Sequence, residues 1–485
     1  MADGGLRSVV TSFSAVAKDS LWLLASFGLY WTWNLLFLLG PSFSAGGSLA
    51  IDDHVPLGFA ILLTGSAVCF ASAALCERYD RLASGRLFVP LQLTALLLGM
   101  ICYQLGQVIA PSLAFSGARF AVRIAGSVLI GGGMALFCLE GARLFRAVGH
   151  RKTLYLGILS MFGGSTLAYL VTLSPPLLAS CPMLLLPILM VYCQRRGFRQ
   201  YPKPWLYIAR PEPRRSIPRG FLIVTALQGI AMGGMFALLR SLGLPANHLA
   251  NFIAFTIATG ILVLTVLPRD LNFNNLIFRL GFPIMASGYF LISLIPGAPL
   301  AGNLLFYMGY CYLYLIICCL CVYLARIHRQ SAIWVVGLGT GCLLAGQLLG
   351  EFAGSMLSEI SSVGFATVMT FLYLLLATVL SGTDIAHGWG SVRLGTAEYL
   401  SLAMNSACEK LAVEFSLSDR EKEVLLLLIR GRTRRYVSEQ LNVSEETAKS
   451  HTGRIYAKLS VHSHTELVNL VEHYADSFTE NPDAP

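Results

Sequence analysis

Charged residues are scarce in this chain. Only 13% of its 485 residues are Asp, Glu, Lys or Arg, against roughly 25% in ordinary soluble proteins. Hydrophobic residues make up 55%, so the composition excludes a soluble globular protein for most of the chain and indicates a membrane protein. Acidic residues become frequent only after Glu398, which marks the main domain boundary. Between residues 20 and 381 the acidic residues are Asp52, Asp53, Glu77, Asp80, Glu140, Glu212, Asp270, Glu351 and Glu359.

The sequence also lacks the patterns that accompany catalysis or metal binding. Its twelve cysteines follow no paired spacing, and Cys318, Cys319 and Cys321 cluster inside an apolar run. Small, polarizable packing residues explain them better than ligands or disulfides do. No metal-ligand spacing, phosphate-binding glycine loop or nucleophile–base set is present. We therefore predict no disulfide, no metal, no cofactor and no enzymatic activity.

Twelve apolar runs approach or exceed the length needed to cross a bilayer, which takes about 20 residues as a helix. The first run is longer than the about 7–15 residues of a signal-peptide core, so we expect a retained anchor. The prediction is an all-α membrane bundle over residues 20–381, after a cytoplasmic N-terminus at 1–19. The runs cover residues 20–39, 56–76, 87–109, 119–141, 153–173, 177–193, 220–240, 248–267, 276–295, 300–325, 332–350 and 362–381.

Basic residues fall almost entirely in alternate loops between these runs. The richest is a proline-containing central loop, 194–219, which divides the helices six and six. Arg119 and Arg240, at helix edges, are the exceptions on the opposite side. By the positive-inside rule, cytoplasmic loops carry the excess of Lys and Arg. We therefore expect both termini in the cytoplasm of a bacterial cell and the bundle in its inner membrane.

The 6+6 arrangement resembles the major facilitator superfamily of transporters. That family carries a loop pattern G-x-x-x-D-R-x-G-R-R, and the stretch CERYDRLASGR has Asp80, Arg81, Gly85 and Arg86 at a stretched spacing. The resemblance implies two six-helix halves with a ligand site near the midplane. Small-residue pairs that allow close helix packing fit such a bundle; they are Gly229 with Gly233, Gly337 with Gly341, and Gly346 with Gly350.

Polar residues inside the apolar runs offer a candidate ligand site. A pocket at the midplane is one interpretation, with Arg123 and Gln104 as its first members; interhelical hydrogen bonds are the other. Glu140 is the best acidic candidate within a run, yet it lies near the cytoplasmic end, which gives proton-driven transport little support. The candidate pocket residues are Arg123, Gln104, Gln107, Asn34, Gln228 and Gln347.

Beyond the bundle, residues 382–415 form a linker that turns into an amphipathic helix, which either rests on the following domain or forms a dimer contact. Residues 416–476 then predict four short helices, and 477–485 a disordered tail. Ser418 with Glu421 is a capping box, Thr433 and Ser444 are N-caps of the next two helices, and Ser463 begins the fourth. The second and third helices form a helix-turn-helix. The third should bury Ala448, His451, Ile455 and Leu459, with His451 hydrogen-bonded to a neighbour.

This stretch resembles the LuxR/NarL-type C-terminal DNA-binding domain. The family patterns are L-T-x-R-E-x-E-V-L, G-x-x-x-x-x-I-A-x-x-L and S-x-x-T-V-K-x-H-x-x-x-I-x-x-K-L. Ser460 stands where the family usually has glycine, and Gly453 removes a side chain at a groove-facing position. The matching residues are Leu417, Ser418, Arg420, Glu421, Glu423, Val424, Leu425, Gly431, Leu441, Ser444, Thr447, Lys449, His451, Ile455, Lys458 and Leu459.

The resemblance implies that the third helix enters the major groove of double-stranded DNA. Lys449 and Ser450 should then contact bases, and the phosphate backbone should be contacted by Thr447, Arg454, Lys458, Arg434 and Arg435. For Arg430, Arg432, Arg434 and Arg435 a solvated charge run is the alternative.

Together these features predict a membrane-embedded, one-component transcription regulator. A small molecule of unknown identity would bind the bundle, and a homodimer would bind DNA. Two alternatives remain: a transporter of the major facilitator type that carries a regulatory DNA-binding tail, and a degenerate tail that serves only protein interaction.

Overall fold

A computed structural model describes two units, residues 1–390 and 391–485. The described residues are 17–18, 20–37, 54–83, 87–108, 116–174, 176–201, 217, 219–243, 248–266, 275–295, 297–327, 330–382, 407–409, 411–429, 434–441, 444–464, 466–468, 470–471 and 474. The predicted linker up to residue 406, the tail 477–485, Thr433, Arg430 and Arg432 lie outside them.

The first unit consists of thirteen α-helices within the described ranges. A π-helical turn at Asn275–Gly281 directly precedes the helix that begins at Phe282. The short α3 is amphipathic, and the other twelve are apolar. The helices are α1 Leu21–Phe37, α2 His54–Ala74, α3 Cys76–Ala83, α4 Phe88–Val108, α5 Ser116–Val148, α6 His150–Thr172, α7 Pro176–Gln200, α8 Arg219–Ser241, α9 His248–Val266, α10 Phe282–Leu294, α11 Pro299–Ile327, α12 Ala332–Ile360 and α13 Ser362–Gly382.

Each predicted apolar run coincides with one of these twelve helices. Nine spans in the described part of the chain are long and apolar enough to cross a membrane; α1 and α9 are shorter apolar helices, and α7 contains Pro182 and Pro187. The described residues contain no strand, so the predicted all-α fold is confirmed.

Several helix pairs join the first six apolar helices to the last six. Helix α2 packs along α12, and α6 packs along α9. Near the middle of the bundle, the Trp31 ring of α1 meets Phe255 of α9 and Tyr314 of α11 edge-on, with centroid distances of 5.6 and 5.2 Å. Edge-to-face aromatic contacts of this kind are favourable. The two halves are therefore packed against each other at several levels.

Glycines bring α8 and α12 into backbone contact. A Cβ on Gly229 or Gly233 would overlap backbone atoms of α12, and a Cβ on Gly346 or Gly350 would overlap carbonyl oxygens of α8, all closer than the 3.0 Å that real Cβ atoms keep. Small residues permit such close approach in membrane bundles. These four glycines, called here the glycine seam, confirm two of the predicted packing pairs. The third pair is confirmed too, since a Cβ on Gly337 or Gly341 would come closer than 3.0 Å to α2.

The predicted central loop, 194–219, begins too early, because α7 continues through Gln200. Gln194 is buried and its Nε2 donates to the carbonyl of Phe137 at 2.9 Å. Arg196 Nε donates to Tyr192 Oη one turn back at 2.9 Å, and its guanidinium lies over Trp22. Arg196, beyond the apolar part of α7, thus has aromatic partners on α1 and α7.

Three helices are defined among the described residues of the second unit, α14 Asp419–Ile429, α15 Arg434–Leu441 and α16 Glu445–Lys458. Helical residues before and after them, at 411–414 and around 466–468, complete the predicted arrangement. Its own apolar core includes Leu425, Val437, Ile455 and Leu467. Ala407, Cys408 and Leu411 also belong to this core. The unit therefore starts before the predicted boundary at 416, and the described part of the amphipathic stretch, from Ala407 onward, rests on the domain that follows it.

Candidate nucleic-acid interface

Helix α14 begins with the capping box expected from its sequence. The Glu421 amide donates to Ser418 Oγ at 3.3 Å, and the Ser418 amide donates to Glu421 Oε2 at 2.8 Å. This reciprocal pair satisfies donors that a helix start leaves without intrahelical partners. A similar contact starts the last helical stretch, where the Glu466 amide donates to Ser463 Oγ at 3.1 Å.

Helix α16, the predicted recognition helix, has defined ends. Ser444 caps its start by accepting the Thr447 amide at 3.1 Å, and Glu445 and Glu446 lie in the first turn, where the helix dipole favours anions. At the other end, Ser460 adopts a left-handed backbone with φ of 55°. The Val461 amide donates to Tyr456 O at 3.0 Å and the Ser460 amide to Ala457 O at 3.4 Å, a Schellman motif.

Periodicity predicted most of the inward face of α16. Ala448, Ile455 and Leu459 are buried as expected. His451 is only half-buried, and no described residue hydrogen-bonds to its Nδ1, so the predicted bond to a neighbour stays a prediction. Thr452, which was not predicted, is buried and donates from its hydroxyl to Ala448 O at 2.8 Å. Because this hydrogen bond satisfies the hydroxyl within the helix, Thr452 can be buried although it is polar. Apolar periodicity does not predict such a residue.

The predicted base-contacting side chains lie on the open face. Lys449 and Ser450 are exposed, as are Thr447 and Arg454. Thr447 Oγ1 lies 2.8 Å from Ser444 Oγ and so also takes part in the cap. Arg434 and Arg435 begin α15, but their side chains lie outside the described residues, so their contact with phosphate stays a prediction.

Lys458 makes two contacts within the domain that were not predicted. Its Nζ donates to Glu421 Oε2 at 2.7 Å and to the Ser416 carbonyl at 2.9 Å, tying the end of α16 to the start of α14. Glu421 is buried, 4% exposed. The hydrogen bond from Lys458, aided by the one from the Ser418 amide, lowers the pKa of this carboxyl below its usual range. Because 38% of the Lys458 side chain is exposed beside this ion pair, its contact with phosphate stays a prediction.

The candidate pocket residues of the bundle do not share one setting. Arg123 is buried, with its guanidinium 5.4 Å from the centroid of the Tyr103 ring. Asn34 Nδ2 donates to Tyr30 O at 3.0 Å, and Gln228 Nε2 donates to Tyr310 O at 3.2 Å. The Gln228 bond joins α8 to α11 and fits the interhelical alternative, whereas the Asn34 bond stays within α1. Gln104 and Gln347 are half-buried, and the side chain of Gln107 lies outside the described residues.

Two charge clusters in the bundle were not predicted. Arg143 contacts Asp80 and Glu140, the latter at 2.9 Å, while Tyr79 Oη donates to Glu140 Oε1 at 3.1 Å. Near the other end, Arg240 pairs with Glu351 at 2.7 Å. Both buried carboxylates therefore have arginine partners, as buried charges require. Acidic residues are rare in the bundle sequence, and each buried one needs a cationic partner. Their rarity was therefore the signal that could have predicted these ion pairs.

Comparison with known proteins identifies the two parts of the chain. Residues 415–471 match the family model GerE, bacterial regulatory proteins of the luxR family. The chain is 40% identical over 55 residues to response regulator UvrY of Escherichia coli K12, covering 11% of this chain and 25% of that protein. It is 39% identical over 62 residues to response regulator protein TodT of Pseudomonas putida F1, covering 13% and 27%. The chain thus spans about a quarter of the length of these relatives.

Solved structures resemble the membrane part. A bacterial homologue of the iron transporter ferroportin, in the outward-facing state, matches 76% of this chain and 98% of its own, with a TM-score of 0.53 and 14% identity. The human organic anion transporter MFSD10 matches 75% and 98%, with a TM-score of 0.50 and 14% identity. At such identity the likeness shows the fold alone. The chain is therefore a multi-pass membrane protein in which a bundle that shares the fold of these transporter structures carries a C-terminal LuxR-type helix-turn-helix DNA-binding domain, the type found in transcription regulators.

Proposed function

We propose that this protein is a membrane-embedded, one-component transcription regulator that detects a small molecule through its bundle. The observation that carries the proposal is the exposed basic face of α16, with Lys449, Ser450 and Arg454 outward, on the same chain as a bundle of transporter fold. The regulatory and transporter-like folds are both of non-enzymatic kinds. The bundle lies in the inner membrane with both termini in the cytoplasm, where DNA is accessible.

On the DNA side, Lys449 and Ser450 contact base edges in the major groove. Thr447 and Arg454, with Arg434 and Arg435 at the start of α15, contact phosphates and set the register of the domain. One recognition helix reads few base pairs, so a homodimer on two half-sites is the functional form.

On the membrane side, a ligand shifts the balance between two states of the bundle by binding one of them more tightly. Arg123 is the leading candidate to contact the ligand because it is a cation, 1% exposed, within an apolar helix. Gln104 and Gln107 on α4, with Asn34, Gln228 and Gln347, are the further candidates. The ligand-dependent state then changes how the DNA-binding domains pair or reach DNA.

Chromatin immunoprecipitation of the tagged full-length chain tests this function. The intact protein is expected to enrich discrete promoter sites, and Lys449→Ala to lose them at equal membrane abundance. Glu445→Gln is the matched control, because it changes an exposed charge in the same helix without touching a proposed contact. The Arg123→Gln variant should keep the sites but no longer respond to the compound that changes occupancy. Equal enrichment by the intact chain and Lys449→Ala would reject the base-reading role.

A transporter with a regulatory tail is the second candidate, favoured by the fold shared with two transporter-type structures. Uptake of the effective compound into vesicles, unchanged by deletion of residues 416–485, would support it. The arginine pairing of Glu140 and Glu351 weakens a proton-coupled version, because a proton relay needs a carboxylate that changes its charge. A reporter fused after Pro485 tests the cytoplasmic orientation independently.

A further inference from the structure

Gly453 lies in the middle of α16, where glycine is among the poorest helix-forming residues. Most glycines of the bundle have a packing reason, but a Cβ built on Gly453 would meet nothing within 4 Å. The domain itself therefore does not require glycine here. A requirement for glycine here would have to come from something that approaches α16 from outside.

The surroundings of Gly453 form a shallow concave surface, called here the notch. It is lined by Glu446, Lys449, Ser450, Thr452, Gly453 and Tyr456. Glu446, Lys449, Ser450 and Gly453 are exposed, whereas Thr452 is buried and Tyr456 half-buried. The notch therefore lies within the surface that carries the proposed base contacts. An object seated there would touch the backbone of α16 at Gly453.

Glu446 is the unusual member of this surface. Its side chain is 87% exposed, and its Oε1 lies 3.7 Å from the Nζ of Lys449. A carboxylate at a DNA interface is repelled by the phosphates unless it accepts a hydrogen bond from a base. In the major groove, cytosine N4 is the amino group that Asp and Glu recognise, whereas guanine presents only acceptors, N7 and O6, which suit lysine.

We infer that Glu446 and Gly453 are specificity-determining residues of the DNA-binding surface. Glu446 accepts a hydrogen bond from a cytosine N4 amino group, while Lys449 donates to a neighbouring guanine. Gly453 leaves room for the base edge to enter the notch, so that α16 sits deeper in the groove than a side chain would allow. This inference rests on the proposed function and adds the sequence class of the DNA, which is a half-site containing cytosine beside guanine.

A structural role is the competing explanation for Glu446, because anions in the first turn stabilise a helix. Glu445 lies in the same turn but is not part of the notch, so Glu445→Gln is a matched control for the helix dipole. For Gly453 the competing explanation is mere tolerance. Larger residues there should then leave DNA binding unchanged while they strengthen the helix.

The test uses the full-length chain in lipid nanodiscs and a pool of random DNA duplexes, with bound sequences read after selection. The intact chain is expected to enrich a half-site with one cytosine position that discriminates at least about fivefold, the lower end for a good base contact. Glu446→Gln should lose that preference, and Glu445→Gln should keep it. Gly453→Ala and Gly453→Leu should weaken binding to the selected duplex progressively, by about fivefold or more for leucine.

Hydrogen exchange of residues 445–458 in the same samples separates binding from folding. The Gly453→Ala variant should exchange about fivefold more slowly, because alanine is the better helix former, while it binds the duplex more weakly. An unchanged cytosine preference in Glu446→Gln, or undiminished binding by Gly453→Leu, would overturn the inference and leave the proposed function standing. Failure of the intact chain to enrich any sequence would overturn the proposed function itself.

Discussion

Ser460, at the end of the recognition helix, occupies a left-handed backbone position where glycine is preferred. Its φ is 55°, and Ser416, after the helical stretch 411–414, has a φ of 48°. Ser416 also closes a Schellman motif, in which the Leu417 amide donates to Ala412 O at 2.8 Å. Both serines therefore hold a conformation that L-residues with a Cβ rarely adopt.

Ser460→Gly should stabilise the domain. The left-handed conformation costs an L-residue about 1–2 kcal/mol. Glycine avoids this cost, but its more flexible unfolded chain makes folding less favourable by about 0.5–1 kcal/mol. The net gain is about 0.5–1 kcal/mol, which raises the midpoint of thermal unfolding by about 2–8 °C in a domain below 100 residues. Ser416→Gly should act similarly. The two gains need not add, because Lys458 links the Ser416 carbonyl to α16.

Circular dichroism of the fragment 391–485 during thermal and urea unfolding measures this change. The fragment retains the apolar core formed by its own residues. Ser460→Ala is the matched control, because it removes the hydroxyl but keeps the Cβ that causes the strain, and it should bring no gain. The affinity for a selected duplex should stay the same in all three proteins. Equal midpoints for Ser460→Gly and Ser460→Ala would refute the reasoning from backbone strain.

Three further predictions concern charge and packing. Because the folded-state pKa of Glu421 lies below its unfolded value of about 4.3, its contribution to stability is present above that pH and is lost as the pH falls through the folded pKa. The difference in unfolding free energy between the intact fragment and Glu421→Gln should therefore shrink between pH 5 and pH 3, and a constant difference would contradict the assignment. Arg454→Gln should lower the slope of log affinity against log salt by about one unit, measured by fluorescence anisotropy at several salt concentrations; an unchanged slope would exclude a phosphate contact. Gly233→Leu should cost the bundle several kcal/mol or prevent its assembly, because the side chain would meet the α12 backbone, whereas Gly260→Leu, at a glycine with open space, should leave the thermal stability in detergent nearly unchanged.

Local signals explain what the sequence predicted well. The Ser418–Glu421 and Ser444–Thr447 contacts join residues three apart, so their spacing alone indicates helix starts. The twelve apolar runs are equally local, since bilayer thickness sets their length. The glycine pairs of α8 and α12 also follow from spacing within one helix, although their mutual contact does not.

Contacts between distant positions explain the misses. Lys458 meets Glu421 across 37 positions, and Arg240 meets Glu351 across 111. A single sequence presents each of these residues as a lone charge, and the resemblance to known DNA-binding domains assigned Lys458 to phosphate. The end of α7 was missed for a related reason, because Arg196 looks like a loop residue until Trp22 and Tyr192 are brought beside it.

The glycine seam also limits how the bundle can rearrange. With α8 and α12 touching main chain to main chain, sliding one past the other would force carbonyl groups over each other without flexible side chains to cushion the movement. The two helices should thus move together as one rigid unit. Because α12 also packs on α2 in the opposite half, any rocking of the halves must rotate α8 and α12 together. The flexible segments must therefore lie elsewhere in the second half.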